Sequence, residues 1–218
     1  MFTGIIEQMG KVVESAEKPF GRRLVIDQGD WDCKAHAGDS IAVNGCCLTH
    51  APDDSTGGRL AFDVVKETLD LTTLGDLVVG AAVNLEGSLT ASTPMSGHFV
   101  QGHIDAVGEI AHIDSGEEDR RIAVKVDQKL MPFVIPKGSI AIDGISLTVA
   151  SVDVDASEFT VALIPTTLKL TTLGNAKPGD RVNLETDMIV RTVVHCLNMQ
   201  KSTGKVTVET LRRAGFAE

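Results

Sequence analysis

Shifted by 99 positions, the sequence lies on itself. Ser40-Ile41-Ala42-Val43-Asn44-Gly45-Cys46-Cys47-Leu48-Thr49 falls on Ser139-Ile140-Ala141-Ile142-Asp143-Gly144-Ile145-Ser146-Leu147-Thr148. Residues 68–75 fall on 167–174, and Val83-Asn84-Leu85-Glu86 on Val182-Asn183-Leu184-Glu185. From 38 to 86, 20 of the 49 positions match without a gap. A shift of 98 also brings Gly4-Ile5-Ile6-Glu7 onto Gly102-His103-Ile104-Asp105, and Gly10 onto Gly108. Solenoid repeats have periods of roughly 20–50 residues. A unit twice that long needs a core of its own, so each copy is a domain. A chain of 218 residues has room for two such domains of about 100 residues each. The repeat places them at 1–97 and 98–187, with a boundary near Pro94-Met95-Ser96-Gly97 and a tail of 188–218.

Inside each copy the pattern is that of short strands. Residues 23–27, 40–43, 59–65 and 82–86 are β-branched or alternating runs, as are 121–126, 139–142, 158–164 and 181–185. Gly- and Asp-rich stretches such as 53–58 separate them, which predicts an antiparallel barrel or sandwich with tight turns. Helical turns are expected at 66–69 and 128–131. After the second copy the period changes. Ile189, Val190, Val193, Val194 and Leu197 form an apolar stripe on a helix beginning near Asp187. Ser202-Thr203-Gly204 should end it, and 207–211 could open one last short helix.

Composition excludes several functions. The chain is 43% hydrophobic and 23% charged, enough apolar material for a core, and it has no membrane-length apolar run. A net charge of −10 repels polyanions, and 4% aromatics with no Tyr leaves no base-stacking platform, so nucleic acid is not an expected partner. The opening residues lack the basic start and apolar stretch of a secretion signal, and four cysteines, two adjacent, make no disulfide framework. A cytoplasmic protein with free thiols is the expectation. Adjacent strand residues point to opposite faces, so Cys46 and Cys47 cannot share a metal ion; the odd spacing of His98 and His103 disfavours one too. No nucleotide-binding glycine motif or zinc spacing occurs.

Four segments carry a resemblance: the opening Met1-Phe2-Thr3-Gly4-Ile5-Ile6-Glu7, Asn44-Gly45-Cys46-Cys47-Leu48-Thr49, Gly97-His98-Phe99-Val100-Gln101-Gly102-His103, and Asp143-Gly144-Ile145-Ser146-Leu147-Thr148. Together they resemble the riboflavin synthase family, α-chain type, over essentially the whole chain. The resemblance implies an all-β fold of two tandem Greek-key six-stranded barrels with a C-terminal helix, and a homotrimer held by those helices. It implies dismutation of two 6,7-dimethyl-8-ribityllumazine molecules: a four-carbon unit passes from one to the other, giving riboflavin and a ribitylamino-pyrimidinedione, with no cofactor. In the family the active site lies between the N-terminal barrel of one subunit and the C-terminal barrel of its neighbour. Two copies of one fold suit two identical substrates. Facing pockets would make the encounter effectively unimolecular, worth up to ~7–11 kcal/mol. Antenna proteins of similar fold, which hold a lumazine or flavin without catalysis, are the alternative. Association with lumazine synthase stays open.

The resemblance also nominates residues. Cys47 and Ser146 occupy matched positions as nucleophile or proton carrier, and Cys46 reads as a small buried hydrophobe. Thr49 and Thr148, two residues on, share their strand faces and can donate hydrogen bonds to the heterocycle. His103 replaces Ile5 of the first copy and so breaks the symmetry; its type suits proton transfer. Asp187 matches an acidic family position that Ser88 fills in the first copy. Cys47, His103, Ser146, Thr148 and Asp187 are thus the catalytic candidates. Ring binding, largely through the main chain, is expected from Gly4, Ile5 and Ile6; from Cys47, Leu48 and Thr49; and from Asp63, Val64, Val65, Lys66, Glu67 and Thr68. In the second copy it is expected from Gly102, His103 and Ile104; from Lys137; from Ser146, Leu147 and Thr148; and from Ala162, Leu163, Ile164, Pro165, Thr166 and Thr167. His98 reads as structural, and His36, His50, His112 and His195 as surface or packing residues.

Overall fold

Twelve strands are laid down in two matching sets in the computed structural model, which describes residues 1–53, 56–115, 120–202 and 212. The first copy contributes β1 (Gln8–Lys18), β2 (Gly21–Asp27), β3 (Ser40–Val43), β4 (Cys46–Thr49), β5 (Leu60–Val65) and β6 (Ala82–Gly87). The second contributes β7 (Ala106–Ser115), β8 (Arg120–Lys125), β9 (Ser139–Ile142), β10 (Ile145–Asp153), β11 (Glu158–Leu163) and β12 (Arg181–Thr186). Strand order is β4-β3-β6-β1-β2-β5 in one and β10-β11-β8-β7-β12-β9 in the other, the same antiparallel ring. In the second copy the ring closes through a full β10–β11 ladder. In the first, β4 stops after four residues and meets β5 only at the His50–Phe62 bridge. Pro52, which has no N–H to donate, follows within three residues of Thr49. There the His50 imidazole Nδ1 accepts the Ala61 N–H at 3.2 Å.

Each copy has a core of its own. Val12, Leu24, Ile26, Ile41, Phe62 and Leu85 centre the first; Ile110, Ile122, Ile140, Phe159, Val161 and Leu184 centre the second. Gly10 and Gly108 sit where an added Cβ would strike Leu85 and Ile26, or Leu184 and Val124, at 2.6–2.8 Å. These glycines blur the alternation of β1 and β7, the two long strands the hydrophobic pattern passes over. The turn expected at 66–69 is α1 (Lys66–Leu71), and its repeat is α2 (Pro165–Leu170). The one expected at 128–131 is a 3-10 turn displaced to Met131–Phe133, where Pro132 fixes the first turn. Residues 1–187 form one compact unit. A second begins at Met188 with α3 (Met188–Ser202), on which Ile189, Val193 and Leu197 are exposed. The helix expected over 207–211 lies outside the described residues.

The two copies meet about a local twofold axis, and the contacts repeat across it. Asn84 Nδ2 donates to Asp143 O and Thr172 Oγ1, and Asn84 Oδ1 accepts the Thr172 N–H. Its counterpart Asn183 donates to Asn44 O and accepts from Thr73 N at 2.7 Å. Both asparagines are fully buried. On the axis two turns touch: a Cβ on Gly45, whose φ is +76°, would lie 2.6 Å from Gly144 N. Gly45→Ala therefore forces apart two backbones that have no side chain to yield. It is expected to cost about 1–3 kcal/mol in denaturant melts, and an unchanged midpoint would show that the turns have room to move.

Candidate active site

The nominated residues gather on one outward side of each barrel, in the same pattern. Over 46–49 and 145–148 the side chains run buried, half-buried, buried, exposed, so Cys47 and Ser146 stand half-buried on the face that also carries exposed Thr49 and Thr148. On the next strand Asp63 and Val65, or Ala162 and Ile164, point outward, while Val64 and Leu163 point into the cores. Leu48, Leu147, Val64 and Leu163 can thus offer a ligand only main-chain groups. Lys66, Glu67 and Thr68 open α1, and Pro165, Thr166 and Thr167 open α2. The Asp63 carboxylate is engaged by Arg23 at 2.8 Å.

The segments before β1 and β7 complete each face, and they cross. Phe2 and Val100 pair with one another across the axis, Phe2 N donating to Val100 O at 2.7 Å and Val100 N to Phe2 O at 3.1 Å. Beyond that pairing Gly4 O accepts Ser146 N at 2.7 Å, and Gly102 O accepts Cys47 N at 2.9 Å. The first copy's leading segment therefore lies on the second barrel, where Ile6 packs on the core. Gly102, His103 and Ile104 of the second copy lie on the first barrel, with Ile104 against its core. Contact is close enough to demand glycine: a Cβ at Gly4 would be 2.6 Å from Ser146 Cβ, and one at Gly102 2.4 Å from Cys47 Cβ.

Around Cys47 this makes a cleft of about 210 Å³ lined by Cys46, Cys47, Glu67, Thr68, Leu71, Thr72, Gly102, His103 and Ile104. None of Ser146, Thr148, Lys137 or Asp187 lines it. Ser146 and Thr148 stand on the second face; Lys137, left-handed at φ +65°, donates its N–H to Val149 O just beyond Thr148, and Asp187 acts electrostatically on His98, the partner of Ser146. A larger cleft of about 370 Å³ lies at the twofold axis between Asn44 and Asp143 and holds none of the nominated residues.

The electrostatics separate the two cysteines and the two histidines. Burial pushes the Cys46 thiol up to about 12, so it is an inert packing group. His98, which the sequence reads as structural, lies on Ser146 with Nδ1 2.7 Å from Oγ. Burial lowers its pKa, with Asp187 pulling the other way. Among the described residues no such imidazole hydrogen bond is made to Cys47 Sγ. Ser146 thus has an imidazole partner in the second face. Glu86 and Glu185, which the sequence does not nominate, also take part. They are buried at 3% and 1% exposure and bind the crossing segments through backbone N–H groups. Their identity in both copies was the available signal.

Residues 3–88 and 101–187 each match the lumazine binding domain model. The chain is 41% identical to riboflavin synthase of Actinobacillus pleuropneumoniae over 99% of this chain and 100% of that one. It is 45% identical to riboflavin synthase of Escherichia coli over 89% and 90% of the two chains. Bacillus subtilis riboflavin synthase is 37% identical, over 99% of this chain and all of the other. Among solved structures, LumP complexed with riboflavin superposes with a TM-score of 0.76 at 26% identity, covering 85% of this chain and 99% of that one.

Proposed function

This chain belongs to the riboflavin synthase family of tandem lumazine-binding domains, and we infer that it catalyses the dismutation of two 6,7-dimethyl-8-ribityllumazine molecules. The products are riboflavin and 5-amino-6-ribitylamino-pyrimidinedione. One observation carries this reading: two faces matched residue by residue in burial, one bearing Cys47 and the other Ser146. Each face binds one lumazine, its rings held by the main chain of the strands and the crossing segment. Cys47, His103, Ser146, Thr148 and Asp187 are read as the groups that move protons or add to the ring, and the remaining nominated residues as ring-binding. Domains are read as 1–97 and 98–187, with 188–218 for assembly.

The same inference extends to a homotrimer in the cytoplasm. In it the first barrel of one subunit faces the second barrel of its neighbour. Exposed Ile189, Val193 and Leu197 on α3 support this reading, because such a stripe is costly in water. Val193→Asp is expected to give monomers with folded barrels and little activity. A variant that stays trimeric by light scattering would remove the helix from the assembly.

Purified protein mixed with the lumazine should develop flavin fluorescence, one riboflavin per two lumazines consumed. The likeness to LumP raises the antenna alternative, in which ligand binds and no flavin forms. Binding without turnover would establish that alternative and overturn the enzyme.

A further inference from the structure

We propose that Glu86 and Glu185 are crossed positioning residues, each carried by one barrel and each organising the ligand-binding face of the other. The proposal rests on the two-pocket reading above and adds a dependence that runs between the copies.

Glu185 lies on β12 of the second barrel. Its carboxylate accepts Gln101 N at 2.6 Å, Gly102 N at 2.8 Å and His103 N at 3.0 Å. Those residues do not serve their own barrel: Gly102 O receives Cys47 N, and Ile104 packs into the first core. Glu86, on β6 of the first barrel, accepts Thr3 N at 2.6 Å, Thr3 Oγ1 at 2.7 Å and Gly4 N at 3.0 Å. Gly4 O then receives Ser146 N in the second barrel, and Ile6 packs on the second core. Each linkage runs from carboxylate to segment to the strand that bears Cys47 or Ser146.

Physical chemistry favours a carboxylate for this task. Several backbone N–H groups converging on one point form a local positive region, and an anion fills it with charge-assisted bonds of about twice the ordinary strength. A neutral amide of the same shape has only one oxygen to accept, and its NH₂ would meet N–H donors head on. Glu→Gln therefore loosens the segment with almost no change in volume. Because the segments cross, loosening at Glu185 acts on the Cys47 face, and loosening at Glu86 acts on the Ser146 face.

The test reads the faces separately. Riboflavin is titrated into the full-length parent, Glu185→Gln and Glu86→Gln, and Cys47 alkylation by iodoacetamide is followed by mass spectrometry at that residue. The parent is expected to bind two riboflavins per chain, and the ligand to protect Cys47. With Glu185→Gln one site should weaken at least tenfold and protection of Cys47 should be lost, the other site remaining. With Glu86→Gln one site should weaken while protection of Cys47 persists. Flavin formation falls in both, since both faces must be filled. If either variant loses both sites together, or if Glu86→Gln rather than Glu185→Gln exposes Cys47, the crossed assignment is overturned. Should a variant fail to fold, Glu185→Asp and Glu86→Asp keep the charge at a shorter reach and are read in the same way. A parent that binds no riboflavin and makes no flavin would instead overturn the functional reading beneath the proposal.

Discussion

Flavin formation is expected to fall about 10²–10⁴-fold when Cys47 is replaced by Ala, Ser146 by Ala or His103 by Gln, the range typical of a lost proton-transfer group. The reaction needs a proton taken from the 7-methyl group of one lumazine and a nucleophile added at C7 of the other. Among the nominated residues, Cys47 and Ser146 stand half-buried on matched faces, and His103 is exposed beside the first. Their side chains are open to solvent to some degree, whereas the neighbouring Leu48, Leu147, Val64 and Leu163 are buried. Orientation by the two faces persists in each variant, so turnover should slow without disappearing, and affinity for a non-reactive lumazine analogue should change far less. Steady-state rates with parallel titrations decide it. Rates within about twofold of the parent for all three would leave positioning as the whole of the catalysis. His98 adds an internal control: it touches Ser146 and not the Cys47 cleft, so His98→Asn should affect turnover in the same direction as Ser146→Ala.

Asp143→Asn should stabilise the fold increasingly as pH rises above about 4. The Asp143 carboxyl is buried, and burial raises its pKa from the ordinary 3.8 to about 7, with Asn183 N–H opposing and Asp180 reinforcing the shift. The folded protein thus holds a proton here that the unfolded chain has released. The contribution is neutral below about pH 4, and stability is lost as pH rises towards 7, reaching about 4 kcal/mol above it. The first copy shows what the neutral side chain does at this place: Asn44 Oδ1 accepts Asn84 N at 2.8 Å, as Asp143 Oδ1 accepts Asn183 N at 2.8 Å. Denaturant melts of parent and Asp143→Asn should coincide near pH 4 and separate progressively up to pH 8. Parallel curves across that range would mean that water or local movement solvates the carboxylate.

Much of this molecule is written locally. Strand alternation, the glycines of the turns and the apolar stripe of α3 are periodic over a few residues, and each repeats or changes period where an element does. The repeat supplied the rest of the architecture, because Asn84 and Asn183, or Gly45 and Gly144, occupy equivalent places in equivalent barrels. Cys47 and Ser146 were legible for the same reason: a matched position on a matched strand face. The displaced turn at Met131–Phe133 and the shortened closure at His50 depend on single prolines, which a count of strand-like runs does not weigh.

The amino-acid sequence alone thus determined two copies of one β domain, their residue-by-residue correspondence and the alternation that turns Cys47 and Ser146 to matched faces. Only the tertiary structure decided that Gly4 serves Ser146, that Gly102 serves Cys47, that His98 belongs to one face alone, and that Glu86 and Glu185 hold the crossing. The reason is physical. Strand and helix patterns are set by neighbours a few residues away along the chain. The crossing is set by backbone hydrogen bonds and a glycine-wide gap between segments far apart in sequence, and those leave no period to read.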